Sequence, residues 1–535
     1  MSFMEKFKVI LDPRLTMANF WDITTNVYGD AVVAYLEEPL EYRCMPKDFI
    51  TYRDNLVLVN KMGHVLKGLG VKRGDRVVIP MGNRVELLTL CFACFKIGAI
   101  AVPLNYMLKG TEIKYIAENC GARVLITDSD VFVPNIKEKE AIPSIETWVM
   151  AGSRESCLPG FVSLDEALDN ASDELEPAIM HKDETVAVFY TSGTTGYPKG
   201  AMLTGKNLLT TQRITAAILP VGPGDEGVSA LPSAHLMGFA VSLLSFMIGA
   251  SGYFMRYFQP KRILETIQER KSSIFVGVPA MYSILLHSDP EKYDLSSIKI
   301  WASGADAMPL EHIKKFMSFG GVFFEAYGQV ETSPITSIKV STKYFTFKQG
   351  CVGIPVFPVR VQIWDENLNR VPVSEPGELV VRGPNVLKGY WNDSERNEDA
   401  FRGGWFHTGD MARREKTGLL YFMDRKKDVV KAGGYSVFSR EVEEEIRSHP
   451  KVDDVAIVGL PHPTKVEVVA AVCTLDPGEE LSNEELMAWC REHIAQYKAP
   501  RYIDIRSEMP YGMTLKVLKR VLREELTEKT DVEEL

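Results

Sequence analysis

Residues 190–200 read Tyr-Thr-Ser-Gly-Thr-Thr-Gly-Tyr-Pro-Lys-Gly, and the chain enters them directly from the apolar run Val186-Ala187-Val188-Phe189. A buried strand that empties into a loop of hydroxyls and glycines constrains the fold more than any other feature. The loop holds the hydroxyls of Thr191, Ser192, Thr194 and Thr195, the glycines Gly193, Gly196 and Gly200, and Lys199. Glycine lets backbone approach a ligand, hydroxyl and amide groups donate hydrogen bonds, and the ammonium adds positive charge. This chemistry suits a polyphosphate. The Walker loop does not fit: Gly193 and Gly196 stand too close together, Pro198 precedes the lysine, and Gly200 occupies the place of the metal-binding hydroxyl. A surface loop of ordinary composition is the alternative.

Around the loop, helical and extended patterns alternate. Leu58, Met62, Val65, Leu66 and Leu69 follow the helical period up to Gly70, and a turn leads to a strand over 77–79. A helix over 85–97 closed by Gly98, a strand at 100–102, a helix from 111 to a stop at Gly121 and a strand at 124–126 repeat the plan. Beyond the loop, a helix is expected over 206–219, then strands near 228, 253–258 and 274–278 with helices between them. Such alternation specifies an α/β fold of parallel sheets covered by helices.

From about 350 the pattern changes to short strands punctuated by glycines, which reads as a β-rich subdomain over about 350–424. The charge run Asp424-Arg425-Lys426-Lys427-Asp428 then separates two composition regimes. The reading is a large N-terminal domain over 1–424 and a small, mobile α+β C-terminal domain over 425–535. In the latter, Ser482 and Glu485 have the spacing of a capping box.

A chain of 535 residues is too long for one core, and its net charge of -10 argues against a nucleic-acid partner. The 8 cysteines are scattered rather than framed for disulfides, which favours the cytoplasm. Cys91-x-x-Cys94 lies in an apolar helical pattern and reads as core. The N-terminus has no secretion signal. Residues 227–255 carry no acidic or basic side chain except His235, but Pro232 and the Gly249-Ala250-Ser251-Gly252 break leave a core helix rather than a membrane span. A peripheral membrane contact stays open, as does the choice between monomer and homodimer.

The order Thr-Ser-Gly-Thr-Thr-Gly-x-Pro-Lys-Gly resembles the signature loop of the AMP-forming acyl-adenylate superfamily: acyl- and aryl-CoA synthetases, firefly luciferase and peptide-synthetase adenylation domains. Further motifs extend the resemblance over nearly the whole chain: Trp301-Ala302-Ser303-Gly304-Ala305-Asp306, Tyr327-Gly328-Gln329-Val330-Glu331, and Gly404-Trp405-Phe406-His407-Thr408-Gly409-Asp410. It implies that Thr191, Ser192, Gly193, Thr194, Thr195, Gly196 and Lys199 hold the phosphates of ATP. Gly304 and Ala305 would form one wall of the adenine slot with Tyr327 stacked on the ring, Glu325 and Gly328 would also bind the nucleotide, Asp410 and Arg425 would bind ribose, and Glu331 with Thr195 would hold Mg²⁺. His235, Leu236, Met237, Phe239, Ser303, Gly328 and Ile335 would line an acyl pocket. Coenzyme A would pass His235, Gly433 and Gly434, Lys427 would be the hinge, and Lys516 would be catalytic together with His235 and Lys199.

The sequence departs from the family pattern in two places. Val330 stands where a threonine would bond the α-phosphate, and Tyr511, Gly512 and Leu515 alter the segment around Lys516. The expected reaction is ATP-dependent activation of a small carboxylic acid through acyl-AMP to acyl-CoA. A hydrophobic tail is expected, a medium- or long-chain fatty acid first and an aromatic or alicyclic acid second. The rivals are a free-standing amino-acid adenylation protein and a non-catalytic regulatory relative.

Overall fold

The computed structural model describes residues 2–191, 198–433, 435–512 and 517–529. The apolar run before the loop is the strand Thr185–Thr191, and the chain returns as a second strand, Lys199–Thr204, antiparallel to it with Thr191 opposite Lys199. The expected helix follows only after this return, at Gly205–Ile218, opened by a Thr204–Asn207 capping box. The loop residues thus join two antiparallel strands. This separates them from a Walker loop, which opens directly onto a helix.

By compactness the chain forms two units, one of residues 1–361 and 381–406, the other of 362–380 and 407–535. The strands between 407 and 425, read from sequence as the end of the N-terminal domain, thus group with the second unit. In the first unit, one sheet orders its strands Gly389–Tyr390, Lys199–Thr204, Thr185–Thr191, Ile100–Asn105, Arg76–Met81, Val124–Thr127, Thr147–Met150 and Val162–Ser163. A second runs Cys351–Pro355, Ser337–Ser341, Val322–Tyr327, Ile300–Gly304, Ile274–Gly277, Glu226–Ser229, Ser251–Phe254, Val32–Tyr42 and Met45–Thr51. Both are parallel at their centres; the first turns antiparallel at the end carrying Lys199–Thr204 and stays parallel to Val162–Ser163 at the other, and the second is antiparallel at both margins. The hairpin of Val32–Tyr42 and Met45–Thr51 has no counterpart in the sequence reading.

One apolar cluster joins the sheets: Val77, Ala101 and Phe189 from the first meet Val33, Ile274 and Phe324 from the second around the helix Val85–Ile97. Phe92 of that helix has ring contacts with Phe20, Trp21, Phe95 and Phe239. Truncating such a buried ring to alanine costs about 3–5 kcal/mol. Cys91 and Cys94 are fully buried on the same helix, and burial drives both thiols up, so they stay protonated core residues. All eight cysteines are free.

The uncharged run 227–255 divides into a strand, the helix Leu236–Ile248 and the strand Ser251–Phe254. Among the described residues no helix is long and apolar enough to cross a membrane. In the second unit, Val452–His462 and Val466–Leu475 form a long antiparallel pair, with Tyr502–Ile505 parallel to the latter. The helix Asn483–His493 begins at the Ser482–Glu485 capping box.

Candidate active site

The return strand places Lys199 at its first position, and the ammonium lies 3.0 Å from the Glu331 carboxylate. A third residue completes the cluster. The Tyr390 hydroxyl donates to Glu331 Oε1 at 3.0 Å and accepts from Lys199 Nζ at 3.0 Å, while the same ammonium stands 4.6 Å from the centre of the Tyr390 ring. Burial and the Glu331 charge push the Tyr390 hydroxyl well up, so it remains a donor. The segment carrying Tyr390 ties the parts together: Trp391 N–H donates to Gly200 O, and Leu387 N–H to Glu331 O, both at 2.8 Å. Tyr390 escaped the sequence reading, because a tyrosine in a short glycine-bounded strand carries no charge or spacing signal.

The adjacent strand ends converge nearby in sequence register. Ile300–Gly304 and Val322–Tyr327 are parallel neighbours with Gly304 opposite Ala326. A Cβ on Gly304 would stand 3.0 Å from Ala326 O, tight enough that the backbone would have to give by a few tenths of an ångström, and in ordinary contact with Met237 Cε at 3.5 Å. Ala305 follows at φ 69°, a left-handed conformation that costs a non-glycine residue on the order of 1–3 kcal/mol and is often retained at binding sites. Gly328 is more tightly confined: an added Cβ would fall 1.8 Å from Pro334 O. Tyr327, half-buried, accepts the Thr336 N–H at its carbonyl. Ile335 is buried, and its carbonyl accepts from the Asn385 side chain at 3.1 Å.

Glu325, expected at the nucleotide, pairs with Lys339 at 2.9 Å, its direct neighbour across the strands. Val330, in the threonine position, packs against the main core. Thr191 Oγ1 and Ser303 Oγ are among the buried hydroxyls with no partner among the described residues. Buried unpaired hydroxyls are costly unless a ligand or water satisfies them, and both stand where a nucleotide and acid are expected.

His235 is exposed and caps the helix Leu236–Ile248, accepting the Met237 N–H at Nδ1. Of the apolar residues that follow, Leu236 and Phe239 are completely buried, and the Phe239 ring lies among Phe92, Phe95 and Phe189. They build core rather than pocket wall. A different face of the helix, with Gly238, Val241, Ser242 and Ser245, lines a cavity of about 40 Å³ together with Asn83 and Ser229. Among the described residues no charged side chain lines it. That volume admits one to a few waters, so an acyl tail enters only if side chains move.

In the second unit, Asp410 and Arg425 are opposite each other on antiparallel strands, with Nε 3.0 Å from the buried carboxylate. Lys427 is exposed in the turn that follows, and Gly433 takes φ 57° with open space where a side chain would stand. Gly434 and Lys516 lie outside the described residues, as do Ser192, Gly193, Thr194, Thr195 and Gly196. Tyr511 and Val517, flanking the Lys516 segment, pair as an antiparallel bridge, and the terminal helix begins only at Lys519. Lys519 itself donates to Ser439 Oγ at 2.7 Å and pairs with Glu443 at 2.6 Å. Burial lowers its affinity for a proton, but Glu443, Asp424 and Asp428 outweigh this and keep it charged.

The donors present fit the expected groups. Glu331 offers one hard carboxylate, and among the described residues no cluster of three or more His, Cys, Asp or Glu is found. A single carboxylate suits Mg²⁺, which keeps phosphate oxygens and water for most of its shell.

The two-sheet α/β fold is that of a known enzyme family. The chain belongs to the AMP-binding enzyme family, which it matches over residues 29–391, and it matches that family's C-terminal domain over 441–512. It is 32% identical to a long-chain-fatty-acid–CoA ligase of Bacillus subtilis (strain 168), with 90% of each chain covered. It is 31% identical to a feruloyl-CoA synthase of Amycolatopsis sp, covering 89% of this chain and 93% of that one. The structure of an O-succinylbenzoate coenzyme A synthetase from Bacillus subtilis with ATP and magnesium ion superposes with a TM-score of 0.81, at 27% identity, over 94% of this chain and 98% of that one. The class is that of AMP-forming acid–thiol ligases, whose cofactors are ATP, Mg²⁺ and coenzyme A.

Proposed function

We propose that this protein converts a hydrophobic carboxylic acid into its CoA thioester through an acyl-AMP, with a medium- or long-chain fatty acid as the preferred substrate. The observation that carries this reading is the uncharged wall: the helix Leu236–Ile248 and the cavity beside it present no acidic or basic side chain. An amino-acid substrate needs a carboxylate to meet its ammonium group, and none lines this cavity. The fatty-acid ligase among the relatives supports the same substrate class. The small volume of the cavity and the feruloyl-CoA synthase relative favour an aromatic acid as the second reading.

In the first half-reaction a carboxylate oxygen attacks the α-phosphorus of ATP and pyrophosphate leaves. In the second, the CoA sulfur attacks the acyl carbon and AMP leaves. The first step brings like charges together, and Lys199 and Lys516 are the cations we assign to offset them. Asp410 and Arg425 are assigned to ribose, Tyr327, Gly304 and Ala305 to adenine, and His235 with Gly433 and Gly434 to the thiol route. Mg²⁺ held by Glu331 and the phosphates would supply Lewis-acid stabilisation. The turn at Lys427 is assigned as the hinge on which Lys516 moves between half-reactions. Eight free cysteines support a reducing compartment, the cytoplasm.

A panel of saturated, aromatic and amino acids, scored by AMP formation with and without CoA, tests the reading. Highest turnover with medium or long saturated acids, dependent on CoA, is expected. Preference for acetate or an amino acid overturns the substrate class, and no AMP with any acid points to a regulatory relative.

A further inference from the structure

The strands Ser337–Ser341 and Cys351–Pro355 form a hairpin whose outer face has the wrong polarity for water. Side chains alternate along a strand, so Ser337, Ser341, Cys351 and Gly353 share one face, and all are buried. The other face carries Ile338, which packs against the main core, then half-buried Val352 and the open pair Val340 and Ile354, 39% and 52% exposed. An antiparallel face open to water should be polar. This one is built from β-branched hydrocarbon. Register extends the stripe inward, because Ile354 stands opposite Ile338, Ile338 opposite Ala326, and Ala326 opposite Gly304, beside Met237.

The loop between the two strands continues the pattern. Tyr344 is 86% and Phe345 59% exposed, and Phe347 meets the edge of Phe345 at 4.9 Å. The charge here is also unusual. Between Glu331 and Asp365 there is no acidic residue, while Lys339, Lys343, Lys348 and Arg360 are basic, in a chain whose net charge is -10. Lys339 is engaged by Glu325, but Lys343 and Lys348 are exposed and make no ion pair among the described residues.

We propose that this hairpin face and its loop are a docking surface for an anionic lipid bilayer. Aromatic side chains at a loop tip suit the headgroup region, exposed lysines beside them meet anionic lipid, and the apolar face supplies area to bury. A second copy of the chain fits less well. A two-fold contact through the same patch would turn Lys343 and Lys348 toward their own copies. The surface would bring the enzyme to the phase in which hydrophobic acids accumulate, with the apolar stripe leading from it toward Met237.

The test is co-sedimentation of the full chain with vesicles of phosphatidylcholine containing phosphatidylglycerol, against phosphatidylcholine alone, without acid, ATP or CoA. Its outcome is thereby independent of the substrate reading. The wild type should bind the anionic vesicles, and more weakly as salt rises. Lys343→Gln with Lys348→Gln should lower partitioning by roughly 25-fold, about fivefold per lysine. Tyr344→Ser with Phe345→Ser should abolish binding while leaving AMP formation with a detergent-dispersed acid unchanged. Absence of wild-type binding, or equal binding by both variants, overturns the proposal. So does a wild-type dimer in light scattering that the aromatic variant dissolves, which assigns the face to a second copy. Loss of AMP formation in the aromatic variant assigns it to a contact within the chain.

Discussion

Lys199 and Glu331 meet at 3.0 Å, and the Tyr390 hydroxyl hydrogen-bonds to both. The cation assigned to phosphate and the carboxylate assigned to metal therefore hold each other in place before either ligand arrives. Such preorganisation spares the reaction the cost of reorienting dipoles. Tyr390→Phe keeps the ring under the ammonium but removes the bridge. Hydrogen bonds to charged groups contribute about 1.5–3 kcal/mol, so kcat/KM for MgATP should fall roughly 10- to 100-fold, with a higher Mg²⁺ requirement. An unchanged Mg²⁺ titration would show that the hydroxyl does not position Glu331.

The terminal segment offers two lysines, and mutation separates the roles assigned to them. Lys519 is engaged by Ser439 and Glu443, whereas Lys516, the lysine assigned to adenylation, lies outside the described residues. Lys516→Ala should depress pyrophosphate release by roughly 10²-fold, the cost of one preorganised charge, and leave thioester formation from preformed acyl-AMP near the wild-type rate. Lys519→Met should instead lower thermal stability, since it leaves Glu443 and Asp424 buried without their cation. Equal losses in both half-reactions for Lys516→Ala would contradict the assignment.

Much of the architecture was legible in the sequence, and the physical reasons are specific. The helix Val85–Ile97 was readable to the residue because Gly98 takes the left-handed conformation that ends it, and the helix after Ser482 because its capping box is written in two side chains. The return strand Lys199–Thr204 was not, since Ala201-Met202-Leu203 has no alternation to distinguish strand from helix. Orientation of the helix Leu236–Ile248 was hidden for a related reason. It is apolar on every side, so periodicity cannot tell Phe239, which faces the aromatic core, from Val241, which faces the cavity.

That orientation makes a specificity prediction. Ser245→Phe would fill the cavity beside the helix, of about 40 Å³. The variant should lose at least about tenfold in kcat/KM for long saturated acids and little for short ones, in line with the worth of a few methylenes in an apolar pocket. Uniform loss across the acid panel would indicate a packing defect instead.

Acid stability should report the second unit. Burial alone would raise the Glu378 carboxyl, but His407 at 3.1 Å and Lys426 at 2.9 Å outweigh it and hold it at about 2, below its usual 4.5. A depressed folded value means stability that is complete above the unfolded value and lost as pH falls through the folded one. Glu378→Gln should therefore cost on the order of 1–3 kcal/mol at neutral pH and flatten the acid limb between about pH 4.5 and 2 in denaturant melts. A mutant curve parallel to the wild type would remove Glu378 from this role.

The central claim is that a carboxylate oxygen of the acid becomes bonded to the α-phosphorus of ATP. Heavy-oxygen-labelled lauric acid, turned over with ATP, Mg²⁺ and coenzyme A and followed by mass spectrometry of the nucleotide, measures this directly. The account predicts that each AMP released carries one labelled oxygen and that pyrophosphate carries none. Unlabelled AMP, or ADP with the label in inorganic phosphate, would contradict it.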